Sequence, residues 1–111
     1  MSIWIDVCAL DELQPDSGVC ALVAGKQVAL FYITKTQQVY ALANFDPIGK
    51  ANVLSRGMIG DLAGEPMVAS PLYKQHYNLK TGDCVEYADI KVENYPVQIQ
   101  NQRVTVKMEM Q

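Results

Sequence analysis

The segment VQIQNQRVTVKMEM, Val97 to Met110, constrains the fold more than any other stretch. Val104, Val106, Met108 and Met110 fall on one side of an extended chain, and Arg103, Thr105, Lys107 and Glu109 fall on the other. That alternation belongs to a half-buried antiparallel strand, because side chains in a strand point to opposite faces with period two. The turn NQ separates it from VQIQ, so the two form a hairpin. No segment of the chain keeps a helical period for more than about two turns. A chain of 111 residues with this texture is expected to be one mainly β domain over residues 1–111, with strands enough for a small antiparallel sandwich or barrel.

The same reading extends upstream. Trp4 to Cys8 makes a first strand, stopped by DELQPDSG with its Pro15 and Gly18. VCALVA and QVALFYIT flank a compact turn at Gly25-Lys26, so residues 19–34 form a hairpin. Both of its strands are apolar at nearly every position, which predicts burial on two faces. KTQQ then turns the chain into VYALAN. From Asn44 to Pro66 the alternation disappears, and the segment is expected to be an irregular excursion holding one short helical turn. Strand character returns near Val68 and Ala69. HYNLKTGDCVEY reads as a hairpin turning at Thr81-Gly82, and a loop through Pro96 leads to the closing pair.

Half of the residues are hydrophobic, 19% are charged and the formal net charge is -3. This is the balance of a folded chain rather than a disordered one. An acidic total without any basic block argues against nucleic acid as the main partner. No apolar run approaches the ~20 residues that span a bilayer as a helix. No basic n-region followed by a long apolar core opens the chain, so a cytoplasmic location is expected. Cys8, Cys20 and Cys84 are odd in number, far apart and outside any CxxC pair. They are expected to be reduced thiols acting as small buried residues.

The most informative stretch is SPLYKQHYNLKTGDC, Ser70 to Cys84, together with VYALAN before the excursion and YPVQIQ after it. In this order the segments resemble the Rieske ferredoxin domain along almost the whole chain. The resemblance implies an antiparallel β-sandwich or barrel with an inserted irregular subdomain, whose two loops, about 44–60 and 69–83, carry Cys-Pro-His and Cys-Pro-Leu-His. Pro71, Leu72, Tyr77, Leu79, Thr81 and Gly82 stand where that pattern puts them. The ligands do not. Asp46 and Ile48 occupy the first loop's Cys and His positions, and Ser70 and Tyr73 occupy the second loop's. A Rieske centre needs two thiolates on one iron and two imidazoles on the other. An alkane, two neutral hydroxyls and one carboxylate do not meet that need, so no metal ligands are expected in this chain. Phe45, Ile48 and Tyr73 are expected to fill the volume of the missing cluster.

The ligandless, full-length form with this ending resembles the small-subunit family of assimilatory NAD(P)H-dependent nitrite reductases. That resemblance implies a non-catalytic accessory role beside a large subunit that carries FAD, sirohaem and a [4Fe–4S] cluster and reduces nitrite to ammonium. A free-standing protein-binding module on the same fold, and a redox protein with an unconventional cluster, stay open as other readings. Phe45, Ile48, Tyr73 and Lys74 form the expected docking end, since exposed apolar residues suit a protein contact. Lys50, Arg56, Lys74 and Lys80 against Asp46 make that end mildly basic. His76, the only histidine, has no carboxylate or nucleophile near it in sequence and is expected to face solvent from a strand. GDLAGEP lacks the spacing of a phosphate cradle.

Overall fold

Twelve strands and no α-helix make up residues 1–110, the part of the chain that the computed structural model describes. The strands are β1 (Ser2–Ala9), β2 (Ser17–Val23), β3 (Lys26–Ile33), β4 (Gln38–Ala43), β5 (Phe45–Asp46) and β6 (Ala51–Asn52). They continue with β7 (Met58–Leu62), β8 (Glu65–Ala69), β9 (His76–Asn78), β10 (Asn94–Tyr95), β11 (Val97–Gln100) and β12 (Arg103–Glu109). Single 3-10 turns stand at Leu10–Glu12 and Leu54–Arg56.

The middle layer is a four-stranded sheet in the order β10-β4-β3-β2. One face packs on the sheet β1-β12-β11, the other on an outer layer formed by β7-β8-β9 and the short β5-β6 pair. β3 shows why the middle sheet lies between two cores. Val28 and Leu30 enter the first core with Val104, Val106 and Met108, while Ala29 and Phe31 enter the second with Leu54, Val68, Tyr77 and Leu79. The continuous apolar run of β3 is therefore buried on both faces, as expected. Each fully buried Val, Leu or Phe contributes about 1.5–3 kcal/mol, so β3 carries more of the stability than a strand with one wet face.

Its neighbour β2 departs from the expectation. Cys20 and Leu22 point toward the outer layer, which stops short of them. The carbonyl of Ser55 sits where a Cβ on Gly18 would be, at 2.4 Å, and beyond that point the face is open. Leu22 is consequently 74% exposed. Cys20 is exposed as well, Cys8 is half-buried, and only Cys84 is buried as a small core residue.

Three tight hairpin turns share one chemistry. Ala24-Gly25, Ala63-Gly64 and Asn101-Gln102 all have both residues at positive φ, the geometry that matches the twist of the flanking strands. The first lies one residue earlier than expected, because Gly25 supplies the second left-handed position rather than the first. Ala63-Gly64 joins β7 to β8, a hairpin inside what the sequence presents as an irregular excursion. Gly60 and Pro66 break the alternation there, and every residue of β7 except Ile59 is exposed, so no apolar period marks it. The excursion otherwise keeps its short helical turn, at Leu54–Arg56.

At Pro96 the chain leaves β10 in the middle sheet and enters β11 in the first sheet, with the Pro96 carbonyl accepting from the Lys107 N–H at 2.9 Å. This crossing links the two sheets at one corner without closing them into a barrel. The inserted segment between β4 and β10 is anchored by buried Asn44. Its backbone N–H donates to the Gln27 carbonyl at 3.1 Å, and its side-chain oxygen accepts from the Ser55 N–H at 2.8 Å.

Candidate functional site: two matched loops around a buried carboxylate

Asp46-Pro47-Ile48-Gly49-Lys50 and Ser70-Pro71-Leu72-Tyr73-Lys74 adopt the same backbone design. In each, the lysine N–H donates to the carbonyl of the first residue, at 2.7 Å for Lys50 and 3.1 Å for Lys74. Each lysine has left-handed backbone, φ 59 and 65. The first side chain of each loop also accepts from the N–H two residues on: Asp46 Oδ1 from Ile48 at 2.9 Å, Ser70 Oγ from Leu72 at 3.3 Å. Short side chains of this kind stabilise turns by such local bonds. The proline in each loop presets φ.

The two first residues meet in the interior. Ser70 Oγ donates to Asp46 Oδ2 at 2.5 Å, and neither residue has any solvent exposure. Gln75 Nε2 donates to Asp46 Oδ1 at 2.8 Å, and the Tyr77 hydroxyl donates to the same oxygen at 3.1 Å. Burial, the largest single influence on Asp46, pushes its carboxyl up. The hydrogen bonds from Ser70, the Gly49 and Ile48 backbone, and Tyr77 together outweigh it and hold the carboxyl below its ordinary value. Tyr77 is pushed up to about 12, first by burial and then by the Asp46 charge beside it, against a lowering contribution from Gln75. Gln75 is itself buried, and its Oε1 has no hydrogen-bond partner.

This arrangement corrects the expectation about the missing cluster's volume. Polar Asp46, Ser70, Gln75 and Tyr77 occupy the interior between the loops. Tyr73 is 67% exposed, Phe45 is 43% exposed and Ile48 is half-buried. The reason is loop geometry: the first residue of each loop points inward, whereas the positions at the tip leave the body. Leu72 covers Gly49 so closely that a Cβ there would stand 2.4 Å from Leu72 Cδ1. Ile48, Tyr73 and Lys74 line one shallow groove with Gln75, Glu86 and Tyr87. Phe45 lies outside that groove, on β5.

His76 also differs from expectation. It is partly exposed on β9, but it has a carboxylate partner, Glu86, ten residues on. Nδ1 lies 2.6 Å from Glu86 Oε2, and the backbone N–H donates to Oε1 at 2.8 Å. Burial raises the Glu86 carboxyl, while the hydrogen bonds from His76 outweigh it and leave it lowered. With Val85 N–H donating to the His76 carbonyl at 2.8 Å, the pair fastens the 85–87 segment to β9. Lys80 in turn pairs with Glu65 at 3.7 Å, which removes one cation from the basic end.

Asp46, Ile48, Ser70 and Tyr73, the residues expected at the ligand positions, do not fit a Rieske centre. The Asp46 oxygens are saturated by internal donors, the Ser70 proton is committed to Asp46, Ile48 has no lone pair, and the Tyr73 ring points out of the body. The thiols lie elsewhere, on β1, on β2 and at Cys84. Among the described residues no three His, Cys, Asp or Glu side chains are grouped to share a metal ion.

The fold nevertheless carries that lineage. The sequence profile of the Rieske-like [2Fe-2S] domain matches residues 3–107, and the chain belongs to that family. Within it, the chain is 43% identical over 101 residues to the nitrite reductase (NADH) small subunit of Escherichia coli strain K12, across 91% of this chain and 94% of that one. The solution structure of the nitrite reductase [NAD(P)H] small subunit from Erwinia carotovora is 42% identical and superposes with a TM-score of 0.83, covering 97% of this chain and 83% of that one. The nitrite reductase [NAD(P)H] large subunit of Klebsiella oxytoca is 43% identical over 103 residues, which are 93% of this chain and 11% of that protein. No helix among the described residues is long and apolar enough to cross a membrane.

Proposed function

We propose that this chain is one Rieske-like domain over residues 1–111 acting as the non-catalytic small subunit of a cytoplasmic NAD(P)H-dependent nitrite reductase. In this reading the large partner holds FAD, sirohaem and a [4Fe–4S] cluster and reduces nitrite to ammonium, while this chain supports it without carrying electrons. The observation that carries the reading is the double occurrence of the sequence among its relatives: a separate small subunit in Escherichia coli and a tenth of a large subunit in Klebsiella oxytoca. A module that is free in one organism and covalently joined in another has the same neighbour in both, because the linkage only raises the effective concentration of an existing contact.

The donor chemistry supports a non-redox role, and the loop tip supplies the docking end. Ile48, Tyr73 and Lys74 on the groove, and exposed Phe45 outside it on β5, combine apolar surface and positive charge without a free carboxylate among them. The test is affinity purification of the chain from its native host grown on nitrate. A large flavin- and sirohaem-containing chain is expected to come with it, and the separated small chain is expected to be colourless in visible light. A chain recovered alone, or with visible absorbance and stoichiometric iron of its own, overturns the reading.

A further inference from the structure

We infer that the Asp46–Ser70 hydrogen bond, with Gln75 and Tyr77 around it, takes the structural place of metal ligation and makes the loop tip a locally cooperative unit that this one carboxylate holds shut. Asp46 and Ser70 are positioning residues: they hold Ile48, Leu72, Tyr73 and Lys74 in place without facing solvent themselves.

Three features carry the inference. The two loops have one design, and their inward-facing first residues meet at 2.5 Å. The contact joins positions 24 residues apart in sequence, so it is a tie between loops rather than a feature of either one. The second is the Gln75 amide. Its Nε2 donates to both Asp46 and Tyr77, at 2.8 and 3.1 Å, while its Oε1 stays buried without a partner. A buried acceptor left unpaired is unfavourable. That loss is accepted where the donors are committed to an anion, and the reverse amide orientation would set Oε1 against the carboxylate.

The third is how little else joins the loops. Leu72 rests on Gly49, and the Ser70 N–H donates to the Gln75 carbonyl at 2.9 Å within the second loop. The remaining apolar contacts lie deeper, around Phe31, Leu54 and Tyr77. Among the described residues, Tyr77 from β9 is the only other titratable side chain bonded to Asp46; Lys50 and Lys74 are exposed at the loop ends, and His76 and Glu86 pair with each other at the groove. Breaking the tie therefore leaves a buried charge or buried donors unpaired at one end of the molecule, while both faces of β3 remain packed.

The experiment is native-state amide exchange on the isolated chain, in chelator-treated buffer, with Ser70→Ala, Asp46→Asn and the double variant. It needs no partner, so its outcome is independent of the nitrite reductase reading. The amides of Ile48, Gly49, Lys50, Leu72 and Lys74 are expected to exchange at least ~10-fold faster in Ser70→Ala and, in dilute urea, with a weaker urea dependence than Val28, Leu30, Val104 and Val106, which open only with the whole domain. The double variant is expected to fall short of the sum of the two single effects, since both changes weaken the same contact. If Asp46→Asn does not fold, Ser70→Ala alone decides. Equal urea dependence at the tip and in the sandwich, unaltered exchange at the tip in Ser70→Ala, or fully additive effects in the double variant would each overturn the inference. So would tip protection in the wild-type chain that disappears on chelation.

Discussion

Asp46 is a fully buried carboxylate at the position where the Rieske pattern leads one to expect a cysteine. Its hydrogen bonds set a definite sign for its acid behaviour. Because the folded carboxyl is held below the unfolded value of about 3.9, Asp46 contributes stability that is present above that value and lost as the pH falls through the folded one. Asp6, Asp16 and Glu86 are lowered as well, so acid destabilises the wild-type chain through several groups. The share from Asp46 is the difference between wild type and Asp46→Asn. Urea midpoints at neutral and acid pH are expected to converge on acidification, and a constant gap would contradict this assignment. At neutral pH, Ser70→Ala is expected to cost about 1–3 kcal/mol by leaving a charged acceptor short of a donor. Two glycines offer a sharper contrast, both with left-handed backbone. Gly25 has φ +79 with nothing near a new Cβ, whereas at Gly82, φ +83, that Cβ would lie 2.1 Å from the Val92 carbonyl oxygen. Gly25→Ala is expected to cost about 1 kcal/mol, the conformational penalty alone. Gly82→Ala adds the clash and should exceed it by ~2 kcal/mol or more in thermal unfolding.

Among the elements, β3 and the β7-β8 hairpin mark the two extremes of what a pattern reveals. QVALFYIT announces a strand buried on both faces, and β3 is one. Its consequence is measurable: Phe31→Ala is expected to lose about 3–5 kcal/mol of folding stability. On the adjacent strand, Leu22→Ala should stay within ~0.5 kcal/mol, because Leu22 is already in water. Urea unfolding of the two variants checks both. The hairpin formed by β7 and β8 gave no apolar period because its first strand lies over solvent, and the only trace of it was Ala63-Gly64, the same pair that turns β2 into β3. The His76–Glu86 contact was invisible for a different reason: it joins β9 to an irregular segment whose path follows from packing.

For the molecule as a whole, the three-layer arrangement sets the loop tip, the proposed docking end, apart from the sandwich core, so contact and stability are separable there. In complex with a nitrite reductase large subunit, Tyr73→Ala is expected to weaken association by about 2 kcal/mol, roughly 30-fold, if Tyr73 is a central contact of the interface. Its melting temperature should be unchanged, because the ring is 67% exposed in the free chain. Titration calorimetry paired with a thermal scan reads both, and unaltered affinity would move the docking face elsewhere. Alternation, two-residue turns and the order of the loop motifs are local properties, and they determined the β class, most strands and the resemblance that pointed to a ligandless relative of the Rieske domain. The partners of Asp46, the exposure of Phe45, Tyr73 and Cys20, and the failure of the sheets to close into a barrel were decided only in three dimensions. Which side chain meets which across distant loops depends on how whole layers pack, and no neighbouring residue in the chain records that.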